Sequence, residues 1–375
     1  MNDKIARFLD ERRPATPCLV LDLDVVEENY RALADALPES RIYYAVKANP
    51  APEILRLLVS LGSSFDTASV NEIEMCLAAG ATADRVSYGN TIKKEADIAR
   101  AHALGVRLFA FDSVAELEKI ARAAPGARVF CRILTSGEGA EWPLSRKFGC
   151  DPEMARGLLL QAAAMGVEPY GVSFHVGSQQ KDLSQWDGAL AQTALLFKEL
   201  EAQGVTLRMV NLGGGFPTRY RSDVPSPAAY GHAIDEALRR HFGNRIPETI
   251  IEPGRGMVGN AGVIQSEVVL ISRKSANDNR RWVYLDIGKF GGLAETMDEA
   301  IQYSITTERA GRAEPVILAG PTCDSADVLY ERADYRLPTD LKIGDRITIH
   351  GAGAYTTTYA SVAFNGFEPL RQYCI

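Results

Sequence analysis

Between residues 24 and 259 a short apolar run alternates eight times with a longer amphipathic stretch, and no other feature of this 375-residue chain constrains its fold so tightly. Brief apolar runs bounded by turn formers read as buried strands, and the 3.6-period stretches between them read as helices. Strands are expected at 42–46, 64–68, 86–89, 107–112, 127–133, 170–176, 209–213 and 249–253. Asp112-Ser113 and Ser226-Pro227 mark helix starts, because a side-chain oxygen there can cap the free amides of the first turn. Eight βα units in about 235 residues suit a (β/α)8 TIM barrel, for which roughly 250 residues is typical. A doubly wound parallel sheet is the competing α/β fold.

After Gly259 the helical pattern stops. Runs at 263–272, 282–286, 316–319, 346–349 and 355–362 are separated by Gly, Pro, Asp and Asn and read as strands of a second, all-β domain. An early strand at 18–22 can join that domain from the other chain end. The expected division is therefore a barrel over 24–259 and a β domain from 1–23 and 260–375.

A net charge of −7 with no Lys/Arg cluster argues against nucleic acid or an anionic membrane as partner. The opening residues are polar and no apolar run approaches membrane-spanning length, so a soluble, cytoplasmic protein is expected. The six cysteines are scattered without Cys-x-x-Cys spacing, which predicts reduced thiols, mostly core filler, and no metal site.

In a parallel barrel the reactive face lies at the strand C-termini, and polar residues close nearly every run. Lys47 follows the first strand, Asp66 falls in the second, Asn90 follows the third, Arg132 falls in the fifth, His175 in the sixth and Glu252 in the eighth, while glycines 213–215 follow the seventh. Lys47 ends an apolar run, where desolvation would lower its pKa and free a nucleophilic amine. A lysine snorkelling to solvent is the alternative. Glycines 213–215 and Gly254-Arg255-Gly256 can bring amides and a guanidinium to a phosphate, or can simply be tight turns. Residues 254–259 also spell Gly-x-Gly-x-x-Gly, but no helix pattern follows and no βαβ unit surrounds them, so a dinucleotide site is discounted. Glu252 can pair with a protonated pyridine nitrogen, keeping such a ring an electron sink, or with Arg255. His175 can stack on a flat cofactor with Ser178 donating to its phosphate, or can be a satisfied core histidine.

Together with Tyr44-Ala45-Val46-Lys47-Ala48-Asn49, the segments Ser173-Phe174-His175-Val176-Gly177-Ser178, Gly213-Gly214-Gly215-Phe216-Pro217, Glu252-Pro253-Gly254-Arg255, Gly320-Pro321-Thr322-Cys323-Asp324 and Gly353-Ala354-Tyr355 resemble the ornithine/lysine/diaminopimelate decarboxylase family of fold-type III pyridoxal-phosphate enzymes. The resemblance runs in order along nearly the whole chain. It implies a barrel plus a β domain in a head-to-tail homodimer with active sites at the interface. It implies Lys47 as the Schiff-base lysine, Glu252 as partner of the pyridine nitrogen and His175 as the ring-stacking group. Ser178, Gly215, Gly254, Arg255 and Tyr355 resemble the phosphate ligands, and Asp66 and Arg132 residues lining the cofactor pocket.

Cys323 resembles the cysteine that returns a proton to the substrate carbon, and Asp324 the acid that grips the distal amine, both from the other subunit. Lys147 and Asp327 resemble an ion pair across the interface. The acidic stretch Glu295-Thr296-Met297-Asp298-Glu299 lies where the family places its specificity helix; Glu295 is the expected second substrate acid beside Tyr355, Asp298 and Glu299 are the alternatives, and a solvated helix start with cap-friendly acids is the competing reading. The stretch looks closer to bacterial ornithine/lysine enzymes than to eukaryotic ornithine decarboxylases. The implied reaction is decarboxylation of L-ornithine to putrescine in polyamine biosynthesis, with L-lysine a second substrate. Diaminopimelate decarboxylation, racemisation on the same barrel and a non-catalytic cofactor-binding regulator are the alternatives.

Overall fold

The computed structural model describes residues 1–135, 137–142 and 147–375. Two compact units emerge, one from 27–217 and 224–257, the other from 1–26, 218–223 and 258–375. The first strand, β1 (Cys18–Leu21), belongs to the second of these.

In the unit that holds 27–217 the strands are, from the amino terminus, β2 (Ser40–Ala45), β3 (Ser64–Thr67), β4 (Val86–Tyr88), β5 (Leu108–Phe111), β6 (Arg128–Arg132), β7 (Ala140–Trp142), β8 (Glu168–Ser173), β9 (Ser178–Gln180), β10 (Met209–Asn211) and β11 (Glu248–Ile251). Among the described residues, β7 and β9 pair as an antiparallel ribbon, and the other eight close into a parallel barrel in the order β10-β11-β2-β3-β4-β5-β6-β8. The alternation of runs and helices is thus a (β/α)8 barrel, not a doubly wound sheet. Tyr43, Leu108, Ala110, Phe130, Met209 and Ile250 are buried together as one of its apolar clusters. Helices between the strands start where the capping signals lie: Ser113 accepts from Glu116 N at 3.4 Å and Ser226 from Ala229 N at 3.2 Å.

Each barrel strand ends one to three residues before its expected limit. Past the strand ends the chain bends at the mouth, still tied to its neighbours by single backbone bonds such as Gly89 N to Thr67 O and Glu252 N to Gly213 O. Consequently His175 and Glu252 lie just beyond β8 and β11 rather than within them. The residues after β11 also differ from expectation, since Arg255–Val258 form one short helical turn.

The other unit carries β1, β12 (Gly262–Ser272), β13 (Arg281–Leu285), β14 (Ser304–Thr307), β15 (Ala313–Ala319), β16 (Val328–Pro338), β17 (Arg346–His350) and β18 (Arg371–Cys374). They form a sheet in the order β14-β17-β12-β13-β15-β16, with β1 antiparallel to β12 and parallel to β18. Both chain ends therefore contribute to it. Its core gathers Ile264, Val268, Val283, Leu285, Leu318 and Ile347. The expected strand at 355–362 is absent: this is turn, with Tyr355 at φ 56° and the Thr356 hydroxyl donating to Ala352 O at 2.8 Å. Cys18, Cys76, Cys131 and Cys150 are buried, while Cys323 is exposed. Among the described residues no helix is long and apolar enough to cross a membrane.

Candidate active site

The site's first element is a turn. Ala45 N donates to Pro253 O at 3.0 Å and the Tyr44 hydroxyl to Asn49 O at 2.9 Å, so the chain leaves β2 through a tight helical turn, Val46–Ala48. Lys47 sits at its centre, with Nζ 3.8 Å from Asp66 Oδ2. Its side chain is 46% exposed, so the desolvated amine expected from the apolar run is not what the fold supplies. A buried carboxyl group, that of Asp66, stands beside the ammonium.

Asp66, in β3, accepts from the Ser87 hydroxyl at 3.3 Å, and a Cβ on Gly89 would come within 1.9 Å of its Oδ1. Burial, and then the neighbouring Glu252 carboxylate, raise the Asp66 pKa against the opposing pull of Lys47. Glu252, just past β11, accepts from Asn211 Nδ2 at 2.5 Å, and its own backbone N–H donates to Gly213 O at 2.8 Å. Arg132 closes β6 and lies over the Phe148 ring at 5.2 Å. Burial lowers its pKa, Glu252, Asp112 and Asp66 oppose that, and the guanidinium stays a cation.

His175 accepts from Gly177 N through Nδ1 at 3.0 Å, and its carbonyl accepts from the Thr135 hydroxyl at 2.6 Å. Burial, followed by the charges of Arg132 and Lys47, pushes its pKa well below the usual histidine value. The ring is therefore neutral, with its proton on Nε2.

Glycines 213–215 pass so close to their neighbours that side chains are excluded. A Cβ at Gly213 would lie 2.2 Å from Phe174 O, at Gly214 2.6 Å from Glu252 O, and at Gly215 2.6 Å from Gly177 O. Gly213 and Gly215 also have φ of 67° and 100°, which other residues rarely adopt. Beyond this loop the buried Arg255 guanidinium donates to the Ser178 hydroxyl at 3.2 and 3.4 Å, and Gly254 O accepts from Met257 N. Asn90 spends its side chain locally, donating to Ala68 O at 3.4 Å and accepting from Ile92 N at 3.3 Å.

The remaining expected residues belong to the other unit. Cys323 and Asp324 are both exposed on one loop, where Cys323 N donates to Asn365 Oδ1 at 2.9 Å and Asp324 accepts from Ala326 N at 2.8 Å. Asp327, just after them, is 3% exposed and accepts from Lys289 N, Thr322 N and the Thr322 hydroxyl, tying that loop to its neighbour. Tyr355 lies in the turn already described. Glu295 is buried, Asp298 is exposed, and Glu299 accepts from three successive amides of β16, those of Glu331, Arg332 and Ala333.

Two residues escape sequence reading. Asn211 ends β10 and bonds to Glu252, and its only sequence signal is that it closes an apolar run as the other site residues do. Lys93 reads as a surface lysine in Lys93-Lys94-Glu95, yet its ammonium is fully buried against Glu116 at 3.0 Å and the carbonyls of Asn90 and Ala110.

An amine for covalent attachment, a carboxylate for a ring nitrogen, and a cationic, amide-rich end for a phosphate make up the donor set that pyridoxal 5'-phosphate (PLP) requires. On a closed parallel barrel they define a PLP-binding enzyme. Residues 23–259 match the pyridoxal-binding domain of the pyridoxal-dependent decarboxylases, and the chain belongs to that family. The lysine/ornithine decarboxylase of Selenomonas ruminantium is 37% identical over 374 residues, covering 98% of this chain and 91% of that protein. A crystal structure of SrLDC with PLP and cadaverine is 35% identical with a TM-score of 0.90, covering 100% of this chain and 94% of that one. The lysine/ornithine decarboxylase of Vibrio vulnificus complexed with cadaverine is 31% identical with a TM-score of 0.90, covering 100% of this chain and 99% of that one. The chain is accordingly a PLP-dependent amino-acid decarboxylase.

Proposed function

We propose that this enzyme converts L-ornithine to putrescine and accepts L-lysine as a second substrate, forming cadaverine. The observation that carries the reading is the meeting of Lys47, Asp66 and Glu252 at one barrel mouth, beside the Gly213–Gly215 loop and the Arg255–Ser178 pair. Lys47 holds PLP covalently. Glu252 would pair with its ring nitrogen, the neutral His175 would be the ring-stacking group, and Asp66 and Arg132 would line the pocket. Ser178, Gly215, Gly254 and Arg255 would hold the phosphate. The chemistry PLP would supply when bound is an electron sink for the bond to the departing carboxylate.

The chain's own residues do the rest. Asp66 would help place the Lys47 amine, and Glu252 would favour a protonated ring nitrogen. We assign the proton returned to the substrate carbon to Cys323, and the distal ammonium to Asp324 with Glu295 as the second acid. Exposure of both Cys323 and Asp324 supports a homodimer in which each site is completed by the partner subunit's Cys323 and the partner subunit's Asp324.

Ornithine and lysine differ by one methylene, and a pocket discriminates that difference by only about 1–3 kcal/mol. Relatives named for both substrates are consistent with dual use. The deciding experiment supplies both amino acids together and quantifies both diamines. Putrescine in excess supports the ornithine preference; equal or greater cadaverine overturns it.

A further inference from the structure

Asn211 is 1% exposed and is the last residue of β10, between β8 and β11 in the barrel. Its side chain is used at both ends. Nδ2 donates to Glu252 Oε1 at 2.5 Å, and Oδ1 accepts from Gly213 N at 2.9 Å. One amide thus joins the carboxylate after β11 to the first glycine of the loop after β10. A second link runs parallel to it through the backbone, from Glu252 N to Gly213 O at 2.8 Å.

We propose that Asn211 is a positioning residue, holding Glu252 at the angle its cofactor contact needs and setting the Gly213–Gly215 loop in register with it. The proposal rests on the reading of Glu252 as partner of the ring nitrogen. With Oε1 engaged by Asn211, the orientation of Oε2 is determined, and a carboxylate that does not rotate meets the ring without reorganising. An amide of this length supplies a donor for the carboxylate and an acceptor for the glycine N–H together, at any pH. An aliphatic side chain would leave a buried N–H and a carboxylate oxygen without their partners. A carboxylate would satisfy Gly213 but face Glu252 as a like charge, unless it carried a proton.

The charged groups that act on Glu252 are Asp66 from β3 and Arg132 from β6; Lys47, from the turn after β2, stands beside Asp66, and His175, after β8, feels Arg132 and Lys47. They are common to wild type and variants, so a ratio between the two isolates what the substitution changes. The experiment follows loss of PLP from the holoenzyme on dilution, by cofactor fluorescence, between about pH 6 and about pH 9. Asn211→Ala should lose PLP about 10- to 100-fold faster than wild type, the range expected for one hydrogen bond to a charged group, with kcat lowered and KM unchanged.

Asn211→Asp should resemble wild type at the acid end, where the introduced group holds a proton and still donates. Its loss rate relative to wild type should climb by about tenfold toward the alkaline end as that proton leaves. A ratio independent of pH, or Asn211→Ala within about twofold of wild type, overturns the proposal. A variant that fails to fold overturns it too, by showing a structural role. Glu252→Gln separates the two readings. If it retains PLP and turns over as wild type does, the assignment of Glu252 fails; if it is impaired while Asn211→Ala is not, only the role of Asn211 fails.

Discussion

Gly214→Ala perturbs the site by a single methyl group whose surroundings are known. Gly214 does not have a left-handed backbone, so the consequence is a matter of space alone. The new Cβ would lie 2.6 Å from the Glu252 carbonyl oxygen and 3.3 Å from His175 Nε2. Comfortable contacts between such atoms begin near about 3.5 Å, so the loop or the end of β11 must retreat by most of an ångström. The nearer atom is backbone and has no rotamer to change. Overpacking of this kind costs about 1–3 kcal/mol, and we expect that strain to weaken PLP binding about fivefold to a hundredfold.

Gly157→Ala is the matched control. Gly157 lies inside the helix Pro152–Ala164, and a Cβ there meets nothing within 4 Å. It should leave PLP affinity unchanged and stabilise the protein by up to about 1 kcal/mol. The assay is equilibrium PLP titration of both variants, with thermal melting alongside. Equal PLP affinity in Gly214→Ala and Gly157→Ala would refute the reasoning that the Gly213–Gly215 loop meets the cofactor.

Two further outcomes are expected. Burial depresses the Lys93 pKa to about 8, from the ordinary lysine value of 10.5. The unfolded chain therefore binds more protons in that window, and the penalty on folding is full below about pH 8 and relieved as pH rises toward the unfolded value. Relative to Lys93→Met, wild type should gain up to about 3 kcal/mol across that range in urea unfolding; a difference independent of pH would contradict it. Separately, mixing the inactive Lys47→Ala and Cys323→Ala proteins should restore decarboxylation, because one hybrid site is intact. No recovery in verified heterodimers would exclude shared sites.

The barrel was legible because each strand is an apolar run of the right length between turn formers, a pattern that survives without knowledge of tertiary contacts. Strand ends were overestimated because Val46, Val176 and Pro253 look like strand continuations, whereas the chain bends there to place Lys47, His175 and Glu252. In the β domain local composition misled. Tyr355-Thr356-Thr357-Thr358-Tyr359 has strand-forming residues, yet Thr356 bonds back to Ala352 and the segment turns.

Conversely β16 was missed because Glu331, Arg332, Asp334 and Arg336 interrupt its apolar pattern. The short strand β18 depends on pairing with β1 from the other end of the chain. Asn211 and Lys93 share that difficulty: their partners are set by barrel register and helix packing, which no local pattern encodes.

Every role assigned at the barrel mouth depends on Lys47 being the lysine that carries the cofactor. Reduction of the PLP-loaded enzyme with borohydride, followed by proteolysis and mass spectrometry, locates that residue. The modification should fall on the peptide containing Lys47 and disappear in Lys47→Ala. Stable modification of a different lysine, or none at all in protein loaded with PLP, would contradict the assignment.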